Sequence, residues 1–281
     1  MKLMRVGPQG TEKPAILDEG GVIRDLSGHL DDLAGPSVGV DALDKLRGLD
    51  LSSLPELPGD TRIGAALAWV PNFYCVGLNY ARHAAETNSS EPAEPILFSK
   101  ATSALHAPND DIVIVRDSRK SDWEVELGVV IGKEALHVSE EDALDHVAGY
   151  CTINDLSERE FQIERMGQWI KGKSAPTYGP VGPWLVTRDE IADPQALDME
   201  LVLNGEAVQS SNTSDMIFTV RQIVSYMSRF MKLVPGDIIA TGTPEGVGMG
   251  MKPQRFLKPG DRMEIEVKGL GRQDQTCVSG D

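Results

Sequence analysis

Strict alternation of apolar and polar positions marks the second half of the chain. Met263-Glu264-Ile265-Glu266-Val267 changes character at every step, which predicts a half-buried strand over 262–268. Short β-rich runs bounded by turn residues predict further strands at 73–77, 96–99, 112–115, 122–132, 149–154, 199–203, 207–209, 237–241 and 274–278. Asn204-Gly205 lies between two of them and reads as a type I′ hairpin turn, whose two central residues both need positive φ. Helical periodicity is scarcer. It predicts helices at 82–87, 140–147, 158–165 and 220–230, the last with Val220, Ile223, Val224, Met227 and Met231 on one face.

The N-terminal stretch has short strands at 2–6, 14–17 and 21–24, a helix at 42–49 and a turn-rich connector at 55–60. This organisation predicts a small N-terminal α/β cap domain over 1–70 and a larger domain over 71–281. Many strands with irregular helices between them predict an α+β, mainly β fold, not a doubly wound sheet.

Composition narrows the function more than the fold. Hydrophobic residues make up 41% and charged residues 25% of the 281 residues, as in ordinary globular proteins. A net charge of −16 disfavours nucleic acid and anionic membrane surfaces as partners. The three cysteines, Cys75, Cys151 and Cys277, show no C-x-x-C spacing and sit among apolar neighbours, which reads as buried filler in a reducing compartment. Met1-Lys2-Leu3-Met4-Arg5 lacks the apolar run of a signal peptide, and no window is apolar enough to span a membrane, so a cytoplasmic location is expected.

Candidate chemistry begins at Trp123-Glu124-Val125-Glu126-Leu127, where two carboxylates at i and i+2 share one face of a strand. An isolated E-x-E is usually a solvated strand face. Here Leu127-Gly128-Val129-Val130-Ile131 continues apolar at every step, so the strand is expected to be covered on both sides. Two same-face carboxylates in a covered strand repel one another and lose hydration, and a hard divalent cation relieves both costs. Asp155, at the end of Tyr150-Cys151-Thr152-Ile153-Asn154, is a third oxygen ligand or, equally, a helix cap. An all-carboxylate set selects Mg²⁺, Mn²⁺ or Ca²⁺ over Zn²⁺. Elsewhere, Gly172-Lys173-Ser174 lacks the upstream glycines of a phosphate-binding loop. The glycine-rich stretch from Gly242 to Gly250 is a plain flexible loop or a site where backbone amides approach an anion.

These segments together resemble the fumarylacetoacetate hydrolase family. The resemblance rests on Tyr74-Cys75-Val76-Gly77-Leu78-Asn79-Tyr80 followed by His83 and Glu86, on Asp122-Trp123-Glu124-Val125-Glu126-Leu127, and on Asn154-Asp155-Leu156-Ser157-Glu158-Arg159. Gly172-Lys173-Ser174, the run from Gly179 to Trp184, Pro235-Gly236-Asp237 and Thr241-Gly242-Thr243-Pro244 follow in order. The resemblance implies a mixed β-sheet roll, usually a homodimer, with a small N-terminal domain before a catalytic domain. It implies a divalent cation, Mg²⁺ first, on Glu124, Glu126 and Asp155. It makes His83 and Glu86 a catalytic dyad, Lys173 and Gln162 substrate-polarising residues, and Thr243 a contact for a substrate carboxylate, with Gly242 and Arg82 as further substrate contacts. One departure stands out: members commonly continue K-S-F-D, whereas this chain has Lys173-Ser174-Ala175-Pro176.

The implied reaction is hydrolysis of a C–C bond in a small anionic keto acid, a 2,4-dioxo acid, to pyruvate and a second acid. The likeness is nearest to members acting on 2,4-didehydro-3-deoxy-L-rhamnonate, cleaved to pyruvate and L-lactate. The alternatives are an acylpyruvate hydrolase, a decarboxylase or isomerase of a 2-oxo or 2-hydroxydienoate, and a non-catalytic binding protein on the same fold. His83 and Glu86 favour hydrolysis, because water must be activated.

Overall fold

Val125–Ile131 is the spine of the molecule and is buried along its whole length in the computed structural model, which describes residues 1–87 and 89–280. Its odd-numbered side chains, Val125, Leu127, Val129 and Ile131, pack in one core cluster with Met199, Leu201, Met263 and Ile265. On the opposite face Val130 joins a second cluster with Cys75, Cys151, Ile153 and Ile238. The strand is covered on both sides, as its uninterrupted apolar run requires. Gly128 leaves no room for a side chain: a Cβ there would lie 2.5 Å from Ile153 Cδ1 and 2.7 Å from Cys151 Sγ.

Around this spine runs a ten-stranded mixed sheet. Its order is Glu56–Leu57, Ile23–Asp25, Lys13–Leu17, Lys2–Val6, Leu185–Thr187, Val147–Asn154, Val125–Ile131, Ile238–Ala240, Phe73–Gly77 and Ile96–Lys100. A second sheet of five strands, Glu206–Asn212, Asp198–Leu203, Arg262–Val267, Gly271–Ser279 and Ile112–Ile114, packs against the odd-numbered face. The architecture is α+β and mainly β. Asn204 and Gly205 have φ of 53° and 84° and close the hairpin between Leu203 and Glu206, as the dipeptide predicts.

The N-terminal segment shares both sheet and core with the rest of the chain. Lys2 and Leu3 pair with Val186 and Leu185, and Leu3, Ile16 and Leu43 sit in the same cluster as Val130 and Ile153. The 1–70 and 71–281 units expected from the sequence are therefore continuous through backbone hydrogen bonds.

Three predicted elements differ. The expected strand 122–132 breaks at Trp123 and Glu124: Ser121–Asp122 pairs with Ser157–Glu158, and the long strand starts at Val125. Side chains take over the ladder there, with Asp122 accepting from the Trp123 amide at 2.9 Å and Asn154 Oδ1 from the Glu124 amide at 3.2 Å. The expected helix 140–147 is a short 3₁₀ turn, Ala143–His146, because Val147 is already paired with Ile131. The expected helix 158–165 is a π-type turn over Glu160–Glu164 that opens under the Glu158 carboxylate, which accepts from the Phe161 and Lys120 amides at 2.7 Å each. The helix at Val220–Ser228 forms with a full capping box between Thr219 and Gln222. All three cysteines are free and buried, and among the described residues no helix is long and apolar enough to cross a membrane.

Candidate metal centre and active site

The strand register builds the carboxylate cluster. Glu126 lies opposite Ile153 and Val125 opposite Asn154, so the chain leaving Asn154 sets Asp155 beside Glu124, and the Asp155 amide donates to the Glu124 carbonyl at 2.9 Å. Glu124, Glu126 and Asp155 each offer a carboxylate oxygen, all within 4.8 Å of one another, and all three side chains are buried. Asp155 caps no helix.

Cations from three other segments surround this cluster. Lys173 Nζ, from the helical turn Ile170–Lys173, lies 2.6 Å from both Glu124 Oε2 and Asp155 Oδ2. Lys100, at the end of its strand, pairs with Asp155 Oδ1 and donates to the Leu156 carbonyl at 3.0 Å. Arg159 spans Glu124 at 2.7 Å, Asp122 at 2.8 Å and Gln162 Oε1 at 3.1 Å. The Ser174 hydroxyl accepts from the Ala101 amide at 2.8 Å and so ties the two lysine-bearing segments together. Gly172 lets the Lys173 turn seat itself, since a Cβ there would strike the Glu158 carbonyl and the Gln162 amide.

Charge within the cluster is uneven. Burial pushes Glu124 up, but the Lys173 and Arg159 charges outweigh it and hold its carboxyl at about 2. Burial works against the Lys173 charge, yet Asp155 and Glu124 outweigh that and raise its ammonium above the ordinary lysine value. Glu126 goes the other way: burial, then the charges of Asp155 and Glu124, push its carboxyl well above the usual range. Its hydrogen bond comes from the Gly242 amide at 2.8 Å, and among the described residues it has no ion-pair partner. A buried carboxylate left without a counter-cation in an all-oxygen donor set is the chemistry of a hard divalent cation site, so Glu124, Glu126 and Asp155 fit one.

Glu124 and Glu126 line a cavity of about 280 Å³ together with His83, Gln162, Thr243, Phe98 and Trp169. His83 lies on the helix Ala81–Glu86, and its Nδ1 is 3.6 Å from Glu86 Oε2 and has no hydrogen-bond partner. The segment leading to this helix is anchored by Asn79, whose side chain bonds the Thr241 carbonyl at 2.7 Å and the Phe218 amide at 2.8 Å.

Other expected contacts are placed differently. Glu86 does not line the cavity; its carboxylate accepts from the Gly246 amide at 3.1 and 3.2 Å and so holds the glycine-rich loop. The Gly242 amide is spent on Glu126, not left open for a substrate anion. The Thr243 hydroxyl reaches the cavity wall but donates to the Val125 carbonyl at 3.0 Å and accepts from Gln209 at 2.9 Å. Arg82 lies outside: one residue from His83 on the helix, it is rotated toward solvent, 67% exposed, near Asp215 and Glu245.

Sequence reasoning gave no role to Lys100, Asp122 or Arg159. Asp122 is fully buried and also accepts from the Gly248 and Met249 amides at 2.7 and 3.0 Å, so the loop opposite the triad hangs on it. Four acids in covered segments demand cations from elsewhere in the chain, and that imbalance was the available signal.

Comparison with known proteins follows this geometry. The family described as fumarylacetoacetate (FAA) hydrolase C-terminal matches residues 72–278. A protein of Burkholderia orbicola, provisionally named a hydrolase, is 55% identical over 276 residues, covering 98% of each chain. Among solved structures, a fumarylacetoacetate hydrolase from Exiguobacterium antarcticum is similar at 34% identity and a TM-score of 0.86, covering 99% of both chains. A maleylpyruvate hydrolase from Sphingobium sp. SYK-6, solved with manganese(II) and pyruvate, is similar at 28% identity and a TM-score of 0.82, covering 100% of both chains. On the extent of these matches, the chain belongs to the fumarylacetoacetate hydrolase family.

Proposed function

We propose that this protein is a divalent-metal-dependent hydrolase that cleaves the C3–C4 bond of a 2,4-dioxo acid to pyruvate and a second carboxylic acid. The observation that carries the reading is the buried triad Glu124, Glu126 and Asp155, two of whose members, Glu124 and Glu126, line one cavity with His83. A divalent cation on the three carboxylates, Mg²⁺ first and Mn²⁺ or Ca²⁺ as alternatives, supplies Lewis-acid polarisation of the substrate's 2-oxo group.

The chain's own residues then account for the proton and charge movements. His83 accepts a proton from water, and Glu86, 3.6 Å from Nδ1, favours the imidazolium as the pair closes. The hydroxide adds to C4, and the Lys173 ammonium with the Gln162 amide nitrogen receives the charge that develops on the C4 oxygen. The C3–C4 bond breaks with its electron pair leaving on the pyruvate carbon, and the imidazolium returns its proton there. Arg159 and Lys100 act as positioning residues, fixing Glu124 and Asp155 through their ion pairs.

The proposed substrate is 2,4-didehydro-3-deoxy-L-rhamnonate, giving L-lactate beside pyruvate, and the proposed assembly is a homodimer, which light scattering checks. Product analysis by NMR after incubation of the Mg²⁺-loaded protein with this acid tests the reaction. Equal pyruvate and lactate are expected; release of CO₂, or an isomer without cleavage, contradicts hydrolysis.

A further inference from the structure

Glu124 and Glu126 are separated by one residue, Val125, whose main chain has lost its neighbour on one side of the sheet. The Glu124 amide and carbonyl face Asn154 and Asp155, meeting Asn154 Oδ1 at 3.2 Å and the Asp155 amide at 2.9 Å. Main-chain groups alternate sides along a strand, so those of Val125 point the other way. On that side Ile238–Ala240 pairs only as far as Gly128, and the Thr241 amide reaches the Leu127 carbonyl at 3.1 Å. Gly242, with φ of 103°, then carries the chain out of the ladder, and its amide meets Glu126. Val125 is left there with an N–H and a carbonyl that no strand pairs, a costly state in a covered strand.

Two side chains replace the missing strand. Gln209 Oε1 accepts from the Val125 amide at 2.9 Å, and Gln209 Nε2 donates to the Thr243 hydroxyl at 2.9 Å. That hydroxyl donates to the Val125 carbonyl at 3.0 Å, which closes a ring of hydrogen bonds around one residue. Gln209 Nε2 also donates to the Pro244 carbonyl at 3.0 Å and so ties the glycine-rich loop to the same point. Gln209 comes from the five-stranded sheet, where it occupies the buried position of Glu206–Asn212, a place that ordinarily takes an apolar side chain. A register shift aims it: Leu201 faces Gln209 and Val202 faces Ala207, leaving Val208 as an extra, bulged residue. Gly246 lies on that bulge, where a Cβ would strike the Val208 carbonyl.

We infer that Gln209 is a positioning residue of the metal centre: with Thr243 it clamps Val125 and holds Glu124 and Glu126 on one face before a cation arrives. The two carboxylates repel one another, and residues i and i+2 share a face only while the residue between them stays extended. Rotation at Val125 is the shortest way for the pair to part, and the ring of hydrogen bonds opposes it. Gln209 does not line the cavity, so it acts through Val125 alone. The same ring gives the Thr243 hydroxyl a duty other than contact with a substrate carboxylate. The inference rests on the divalent-cation reading of the triad.

The test is calorimetric titration of metal-free protein with Mn²⁺, which reads the centre without turnover. Gln209→Met keeps the bulk and removes the ring; outer partners of metal ligands are worth about 10–100-fold in affinity, and a loss in that range is expected. Thr243→Val is a gentler change that breaks the same ring at the hydroxyl, and it is expected to lower affinity about tenfold. Thr243→Ser restores the hydroxyl and is expected to restore the affinity. Gln195→Met is the control for general damage, because Gln195 accepts from the Val220 amide at 2.8 Å and donates to the Thr213 carbonyl at 3.1 Å, bonds that do not involve the triad or its strand. It is expected to lower the melting temperature and leave Mn²⁺ affinity unchanged. Undiminished affinity in Gln209→Met, or in Thr243→Val where Gln209→Met does not fold, overturns the clamp while leaving the cation site standing. Equal weakening by Gln195→Met also overturns it, since affinity would then follow fold stability. Absence of binding by the unaltered protein removes the cation reading and the clamp together.

Discussion

At the scale of single residues, the two glutamates of the site behave oppositely. Glu124 is one end of a buried network with Arg159 and Lys173, so Glu124→Ala strands two buried cations and is expected to cost about 3–5 kcal/mol of stability. Glu126 has no such partner among the described residues, and its carboxyl is pushed up by burial, then by the Asp155 and Glu124 charges. For an acid raised in the fold, the folded state disfavours ionisation; the penalty is absent below the ordinary value of 4.5 and grows as pH rises above it. Glu126→Gln is therefore expected to raise the melting temperature of chelator-treated protein at pH 8 and to leave it unchanged near pH 4. A melting temperature lowered at pH 8 contradicts the assignment. His83→Ala should lose about 10²–10⁴-fold in kcat while retaining metal affinity, measured by pyruvate release and metal titration; loss of metal binding would make His83 a ligand.

At the scale of elements, the site is made by places where regular structure stops. Glu124 precedes the long strand and Asp155 follows its neighbour, while Lys173 rides on a four-residue helical turn packed on the π-type turn that holds Gln162. Gly172→Ala forces these two turns apart, with an expected cost of about 1–3 kcal/mol and lost turnover, read by thermal melting and by pyruvate assay. Strand periodicity made the Glu124–Glu126 pair and its two-sided cover legible in the sequence, because both follow from alternation and apolar flanks. Asp155 could be read as a ligand or a cap until its surroundings were known, since local sequence serves both uses. Lys100 was illegible: a lysine ending an ordinary strand carries no local mark of the carboxylate that lies 55 positions away. The turn over Glu160–Glu164 was misread as a plain helix because the Glu158 carboxylate, not main-chain periodicity, starts it. Arg82 was placed by resemblance, and Gly242 and Thr243 by resemblance and by their glycine-rich loop; the Gly242 amide bonds Glu126, Thr243 bonds the Val125 carbonyl at the cavity wall, and Arg82 is exposed.

At the scale of the whole molecule, the N-terminal strands extend the sheet that bears the site. Lys2–Val6 pairs with Leu185–Thr187, which pairs with Val147–Asn154, the strand leading to Asp155. A shared core of this kind predicts one cooperative unfolding transition by calorimetry; two resolved transitions would make residues 1–70 an independent unit. The central claim is that Glu124, Glu126 and Asp155 hold one divalent cation. Its most direct measurement is titration of metal-free protein with Mn²⁺ by isothermal calorimetry in two buffers of different ionisation enthalpy, alongside Glu126→Gln. The account predicts one ion per chain, proton release on binding that reports Glu126, and affinity lowered at least about 100-fold in the variant. Undiminished binding by Glu126→Gln, or no binding by the unaltered protein, would contradict it.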